Sequence, residues 1–63
     1  MADLLTIAEA AAYLRLPVET LRKWRAAGTG PRAAKVGKHL RYRRAEVDRW
    51  LAEREREAAD RAR

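Results

Sequence analysis

The stretch V-E-T-L-R-K-W at Val18–Trp24 decides the fold of this chain, because its spacing is that of a short amphipathic helix. Leu21 and Trp24 are three positions apart and therefore share one face of that helix. The polar side chains of the stretch then point mostly elsewhere: Glu19, Thr20, Arg22 and Lys23. A buried apolar seam opposite a face that donates and accepts hydrogen bonds is a shape that fits the major groove of DNA.

Length and composition narrow the classes of function. The chain has 63 residues, no cysteine, one histidine and a formal net charge of +6. We expect one domain, and a domain of this size buries only about 60% of its unfolded surface. An enzyme pocket would consume so small a core, so we expect no enzyme, no cofactor and no metal site. The positive charge favours a polyanionic partner: DNA, RNA or an anionic membrane surface.

We expect no targeting or membrane-spanning segment in this chain. Its first residues carry an acid where a secretory leader would be basic, and no apolar run follows. No stretch approaches the roughly 20 apolar residues that are needed to cross a bilayer. We therefore expect a cytoplasmic protein.

Two helices joined by a tight turn are predicted in the first half of the chain. Thr6 and Glu9 have the spacing of a capping box, which starts the first helix. Its apolar stripe consists of Ile7, Ala10, Ala11 and Leu14. Pro17 ends this helix, since the residue before a proline is driven out of helical geometry. The second helix begins just after Pro17 and ends at Gly28, which gives a helix-turn-helix unit.

A basic hairpin is predicted between the second and third helices. Its apolar residues are Ala34, Val36, Leu40 and Tyr42. A two-residue loop would pair Val36 with His39 and divide these four residues between both faces of the hairpin. A loop over residues 37–39 would pair Val36 with Leu40 and keep all four on one face. Because register follows the buried face, we predict the three-residue loop, with Lys38 at its tip.

A third helix is predicted from about Arg44. Three apolar residues at helical spacing are expected to face the core: Val47, Trp50 and Leu51. After Ala52 the sequence is highly charged and has no large apolar side chain. We therefore divide the chain into a domain at residues 1–52 and a charged helical or frayed extension at residues 53–63. This extension is either a solvated helix end or a contact segment for a partner protein or a neighbouring copy.

Four motifs together resemble a known group of proteins. They are L-L-T-I-A-E-A-A-A-Y-L at Leu4–Leu14, E-T-L-R-K-W at Glu19–Trp24, V-G-K-H-L-R-Y-R at Val36–Arg43 and A-E-V-D-R-W-L at Ala45–Leu51. The pattern resembles the small excisionases of phages and mobile elements, also called recombination directionality factors, and the DNA-binding half of MerR-type regulators. The resemblance implies a mostly helical fold with a small β-hairpin: a winged helix-turn-helix with a two-stranded wing and a third helix. Small regulators of the AlpA and BldC type share this pattern.

The resemblance also implies which residues contact DNA. In the related excisionases the second helix enters the major groove and the wing lies along an adjacent minor groove. The implied major-groove residues are Glu19, Thr20, Arg22 and Lys23. The implied wing and phosphate residues are Lys35, Lys38, His39, Arg41 and Arg43. Glu19 and Lys23 would read base edges, and Thr20 and Arg22 would contact phosphates.

Ordinary surface roles remain open for some of these residues. Glu19 lies in a first helical turn, where the helix dipole favours an acid. Arg22, Lys23 and Lys38 are also compatible with simple solvated charges. Trp24 and Trp50 are predicted to be core residues, because each lies at helical spacing from other apolar residues.

We expect a sequence-specific architectural protein that bends attachment-site DNA in a bacterial host and directs an integrase toward excision. Two or three base-reading side chains contribute only about 1–3 kcal/mol each, whereas specific binding exceeds non-specific binding by about 4–10 kcal/mol. Neighbouring copies on the DNA and an integrase are therefore expected as partners, and no membrane. The alternative function is a small transcriptional regulator, and a third is a basic adaptor that binds an acidic protein or an anionic membrane.

Overall fold

The computed structural model describes residues 3–62 and has three helices and a small antiparallel sheet. The strands are β1 (Leu4–Leu5), β2 (Ala34–Val36) and β3 (His39–Arg43). The helices are α1 (Ile7–Leu14), α2 (Val18–Ala27) and α3 (Arg44–Arg61). The mostly helical winged helix-turn-helix prediction is confirmed. Residues 1, 2 and 63, at the ends of the two predicted segments, lie outside the described residues.

The capping box starts α1 as predicted. The Thr6 hydroxyl oxygen accepts from the Glu9 backbone N–H at 3.0 Å, and the Glu9 carboxylate accepts from the Thr6 N–H at 2.9 Å. The helix ends when Arg15 adopts a left-handed conformation, with φ of 59°. The Leu16 N–H then donates to the Ala11 carbonyl at 2.9 Å, which closes a Schellman turn and directs the chain into α2.

The ends of α2 also follow the prediction. Pro17 is its N-cap and supplies no side-chain hydrogen bond, while Gly28 ends it with φ of 76°. The Thr29 N–H donates to the Trp24 carbonyl at 2.8 Å, which satisfies one of the last helical acceptors. The helix is thus held between two residues that cannot continue it.

The core lies where the three helices meet the inner face of the sheet. Its fully buried members are Ala10, Ala11, Leu21, Tyr42 and Val47. The Trp24 and Trp50 rings are half-buried and pack against each other, with centroids 5.2 Å apart. Trp24 also packs against the core, whereas Trp50 lies at its margin, so the prediction of a core residue holds better for Trp24 than for Trp50. The prediction for Leu51 is wrong: it lies at the edge of the buried face of α3 and is 38% exposed.

The hairpin register differs from the prediction. Val36 pairs with His39, so the loop has two residues, Gly37 and Lys38, and the predicted three-residue loop is wrong. Gly37 has φ of 63°, and glycine at the first loop position favours a two-residue hairpin whose twist matches the strands. Consequently the apolar residues are divided: Tyr42 is buried, while Val36 is 54% exposed on the outer face.

The sheet has one more strand than predicted. The two-stranded wing is present as β2 and β3, and β1 pairs with the other edge of β3 in the order β1-β3-β2. Leu5 pairs with Tyr42, and the Arg44 N–H donates to the Asp3 carbonyl at 2.9 Å. The wing is therefore anchored by the start of the chain as well as by the helices.

Candidate nucleic-acid interface

The face of α2 opposite the core carries the predicted major-groove residues. Leu21 is buried on the inner side, whereas the Glu19 and Arg22 side chains are 78% and 59% exposed. Lys23 is exposed and lies one helical turn beyond Glu19. These three side chains therefore form one continuous surface.

An ion pair links two members of this surface. The Arg22 Nε atom lies 3.8 Å from the Glu19 Oε2 atom, and both side chains remain largely in solvent. Such exposed pairs contribute only about 0–1 kcal/mol, so DNA can separate the partners at little cost. Lys23 has no ion pair with any residue of the described range 3–62. The surface thus presents one hydrogen-bond acceptor, Glu19, beside two donors, Arg22 and Lys23.

Thr20 differs from the other predicted major-groove residues. It is half-buried, and its N–H donates to the Pro17 carbonyl at 3.0 Å. It therefore lies at the edge of the exposed face of α2. The centre of that face is completed by Ala26, which sequence analysis did not single out. Ala26 is exposed and seven positions from Glu19, a spacing of two helical turns that could have identified it.

The structure places most of the predicted wing residues on one face. Alternation along β3 directs His39, Arg41 and Arg43 away from the buried Tyr42. Lys38 is exposed in the two-residue turn. Lys35 is not on this face, because it pairs with Leu40 and shares the inner face with it.

Two of the wing arginines have partners within the chain. The Arg41 Nη1 atom donates to the Leu40 carbonyl at 2.8 Å. The Arg43 Nη1 atom lies 3.4 Å from the Asp3 Oδ2 atom, with both side chains exposed. Arg41 is half-buried, whereas Arg43 is exposed. Both guanidinium groups keep donors that are free to meet a phosphate.

Charge is distributed very unevenly along the chain. Residues 15–44, here called the basic segment, contain ten of the 15 lysines and arginines but only one of the nine acids, Glu19. Their formal charge is +9, whereas the remaining residues, with five bases and eight acids, sum to −3. The basic segment contains α2 and the wing, which hold seven of its ten bases; Arg15, Arg32 and Arg44 lie outside these two elements. The positive potential is therefore concentrated on the elements that carry the predicted site.

Arg25 is a second residue that sequence analysis missed. It follows Arg22 by three positions and lies on the side of α2 that faces the sheet. Burial raises the pKa of the Tyr42 hydroxyl, and the positive charge of Arg25 opposes that rise. Arg25 lines a groove together with Leu40, which places it on the flank of α2 beside β3. Its spacing from Arg22 was the available signal.

Within residues 3–62, no group of three or more His, Cys, Asp or Glu side chains is arranged to hold a metal ion. No helix in that range is both long and apolar enough to cross a membrane.

Comparison with known proteins agrees with this geometry. No curated protein matches the chain at a significant level. A family model described as a helix-turn-helix domain matches residues 4–55, which span both the α2 surface and the wing. Such a domain indicates double-stranded DNA as the partner. The chain therefore belongs to this helix-turn-helix family, which includes small excisionase-like DNA-binding proteins.

Proposed function

We propose that this protein is an excisionase-type architectural factor. It binds attachment-site DNA sequence-specifically, bends it, and directs an integrase toward excision without catalysing a step itself. The observation that supports DNA binding most strongly is the basic segment, which carries α2 and the wing and has a formal charge of +9. The excision role rests on the resemblance to excisionases. The proposed setting is the cytoplasm of a bacterial host.

The exposed face of α2 would read the major groove. Glu19 accepts a hydrogen bond from a cytosine amino group, and Lys23 donates to the O6 and N7 atoms of a guanine. Ala26 has no bulk to hold the helix away from the bases, and its methyl group can contact a thymine methyl. Arg22 exchanges its weak pairing with Glu19 for a phosphate, and Thr20 contacts the backbone from the edge of the face.

The wing would contact the adjacent minor groove and its phosphates. Lys38, at the turn, enters the minor groove, where narrow A/T-rich stretches have strong negative potential. Arg41 and Arg43 meet phosphates alongside, and His39 lies between them and the tip. Lys35 acts from the opposite face of the hairpin.

One copy of this interface discriminates too weakly between specific and non-specific DNA. Two or three base contacts give about 1–3 kcal/mol each, against the roughly 4–10 kcal/mol that separates specific from non-specific binding. Copies bound at adjacent sites, or a copy bound beside an integrase, raise the effective concentration of each partner. Cooperative assembly on DNA is therefore part of the proposal.

The proposal is tested by reconstituting recombination. Integrase-mediated excision and integration are measured on attachment-site DNA with the protein, without it, and with Lys23→Ala. We expect the protein to raise the excision-to-integration ratio and Lys23→Ala to lower that effect. Arg49→Ala, which removes the same charge from an exposed position of α3 outside both the basic segment and residues 53–63, is the matched control and should retain full activity.

An unchanged ratio would contradict the excision role. If the transcripts of neighbouring genes then respond to the protein in a strain that lacks the integrase, the same interface serves a small transcriptional regulator. Footprinting on the native region would show the number and spacing of sites in either case.

A further inference from the structure

A shallow groove runs between α2 and the sheet, beside the base-reading face. It encloses about 380 Å³ and is lined by Ile7, Arg22, Arg25, Ala26 and Leu40. Three of these side chains are apolar and the other two are guanidinium groups. An apolar surface bordered by fixed positive charges matches a sugar–phosphate backbone, in which deoxyribose alternates with a charged phosphate.

Arg25 also borders a second groove. That groove encloses about 320 Å³ and is formed by the connector at residues 28–33, which includes Arg32. Arg25 is common to the two grooves and therefore stands on the ridge between them. A strand crossing from α2 toward the wing would pass this ridge.

The charge of Arg25 is not neutralised by a neighbour. Arg22 lies near Glu19 and Arg43 lies near Asp3, whereas Arg25 has no carboxylate within 4.0 Å among the residues of the structure. Tyr42 lies near it, but a hydroxyl whose pKa is raised by burial stays neutral and provides no counter-charge. The Arg25 guanidinium is thus available for an external anion.

Arg25 cannot share the base-reading role of Lys23. At 3.6 residues per turn, two positions correspond to about 200° around the helix axis, so the two side chains point in nearly opposite directions. Arg25 therefore lies on the flank of α2 that faces the sheet, where it lines the groove with Arg22 and Leu40. A DNA strand that follows this flank would present its phosphates to Arg25.

We infer that the groove between α2 and the sheet holds one DNA strand as it passes from the major groove to the minor groove, with Arg25 donating hydrogen bonds to a phosphate in this crossing. Ile7 and Leu40 contact the sugars. The fork of donors on arginine suits a phosphate better than the single ammonium of lysine. The inference rests on the proposed DNA binding and adds a positioning residue to it.

The experiment compares DNA affinities of full-length variants by fluorescence anisotropy over a range of salt concentrations. Two duplexes are used, one with the footprinted site and one with a scrambled sequence. Arg25→Ala should weaken binding about 10-fold on both duplexes and reduce the slope of log K against log salt by about 0.9, as expected for one lost phosphate contact. Arg25→Lys should show a smaller loss with an unchanged slope. The control Arg56→Ala should stay within about 2-fold of the wild type.

A second measurement changes the DNA and not the protein, by removing the charge of one phosphate at a time. A single uncharged methylphosphonate is placed in turn at each position of the site. One position should weaken the wild type markedly while leaving Arg25→Ala unaffected. Arg25 is exposed, so its variant should show the same thermal unfolding curve as the wild type.

Several outcomes would overturn the inference, and they are distinguishable. Equal affinities for Arg25→Ala and Arg56→Ala would exclude the phosphate contact while leaving DNA binding intact. A loss confined to the specific duplex would make Arg25 a base-reading residue instead. Failure of the wild type to bind either duplex at low salt would remove the proposed function and this inference together.

Discussion

The basic segment and the second half of α3 are both exposed and highly charged, yet their charges are organised in opposite ways. The basic segment has ten positive side chains and one negative. Residues 53–62 have three positive and four negative, and neighbours neutralise each other, as in the Arg54–Glu57 pair at 3.6 Å. Charge density alone therefore does not identify an interface. An interface is indicated when charges of one sign lie on elements that pack against the core.

The largest expected effect comes from removing the support of the basic segment. Leu21 is buried beneath the exposed face of α2, and Leu21→Ala should cost about 2–5 kcal/mol. A domain of this size has only about 3–5 kcal/mol of stability, so most of the protein should unfold and lose DNA binding. Chemical denaturation followed by circular dichroism measures this. Glu55→Ala, in the far half of α3, should change stability by less than about 0.5 kcal/mol. A loss of stability as large as that of Leu21→Ala would contradict the contrast between the basic segment and the far half of α3.

The next effect separates two roles within the basic segment. Lys23→Ala should cost about 1–3 kcal/mol on the specific duplex and little on a scrambled one, because a base contact carries sequence information. Arg41→Ala should weaken binding to both duplexes alike, as a phosphate contact does. Competition titrations with the two duplexes provide the comparison. An equal loss on both duplexes for Lys23→Ala would exclude it from the base-reading set.

Alkaline pH should affect the packed region and not the far half of α3. Burial raises the pKa of Tyr42 above its ordinary value of 10.0, so the folded state holds this proton more tightly than the unfolded state. The resulting stability is present below about pH 10 and is lost as the pH rises through the higher folded pKa. Tyr42→Phe should remove this part of the loss of stability at alkaline pH. Urea titrations at a series of pH values would detect the difference. An identical pH dependence in the variant would contradict the assignment.

The smallest effect is expected at the end of α3. Removing residues 56–63 leaves Val47 and the Trp24–Trp50 contact in place. Stability should change by less than about 0.5 kcal/mol, and affinity for a single site should stay the same. If affinity for DNA with several adjacent sites falls while single-site affinity does not, this part of α3 is a contact between neighbouring copies.

The helices could be predicted because their ends depend on local chemistry. The Thr6–Glu9 capping box, Pro17 and Gly28 each act within a few residues, so the start of α1 and both ends of α2 follow from the sequence. The end of α1 does not, because the left-handed Arg15 ends that helix before Pro17 is reached. The exposed positions of Glu19, Arg22 and Lys23 follow from the same helical period.

The sheet was harder to predict, because its pairing involves residues far apart in the chain. Leu4 and Leu5 become a strand only by pairing with Arg43 and Tyr42, and no local pattern indicates this. In the hairpin, the left-handed conformation of Gly37 selected a two-residue turn, and this preference outweighed the burial of Val36. Arg25 was missed for a similar reason, since its significance depends on the groove it shares with Leu40.

The salt dependence of DNA binding tests the central claim most directly. If the basic segment contacts about six phosphates, log K for a duplex carrying the footprinted site should fall against log salt with a slope near −5. The same slope with a lower affinity is expected on a scrambled duplex. Absence of binding at low salt would show that the basic segment is not a DNA interface, and would leave an acidic protein or an anionic membrane as its partner.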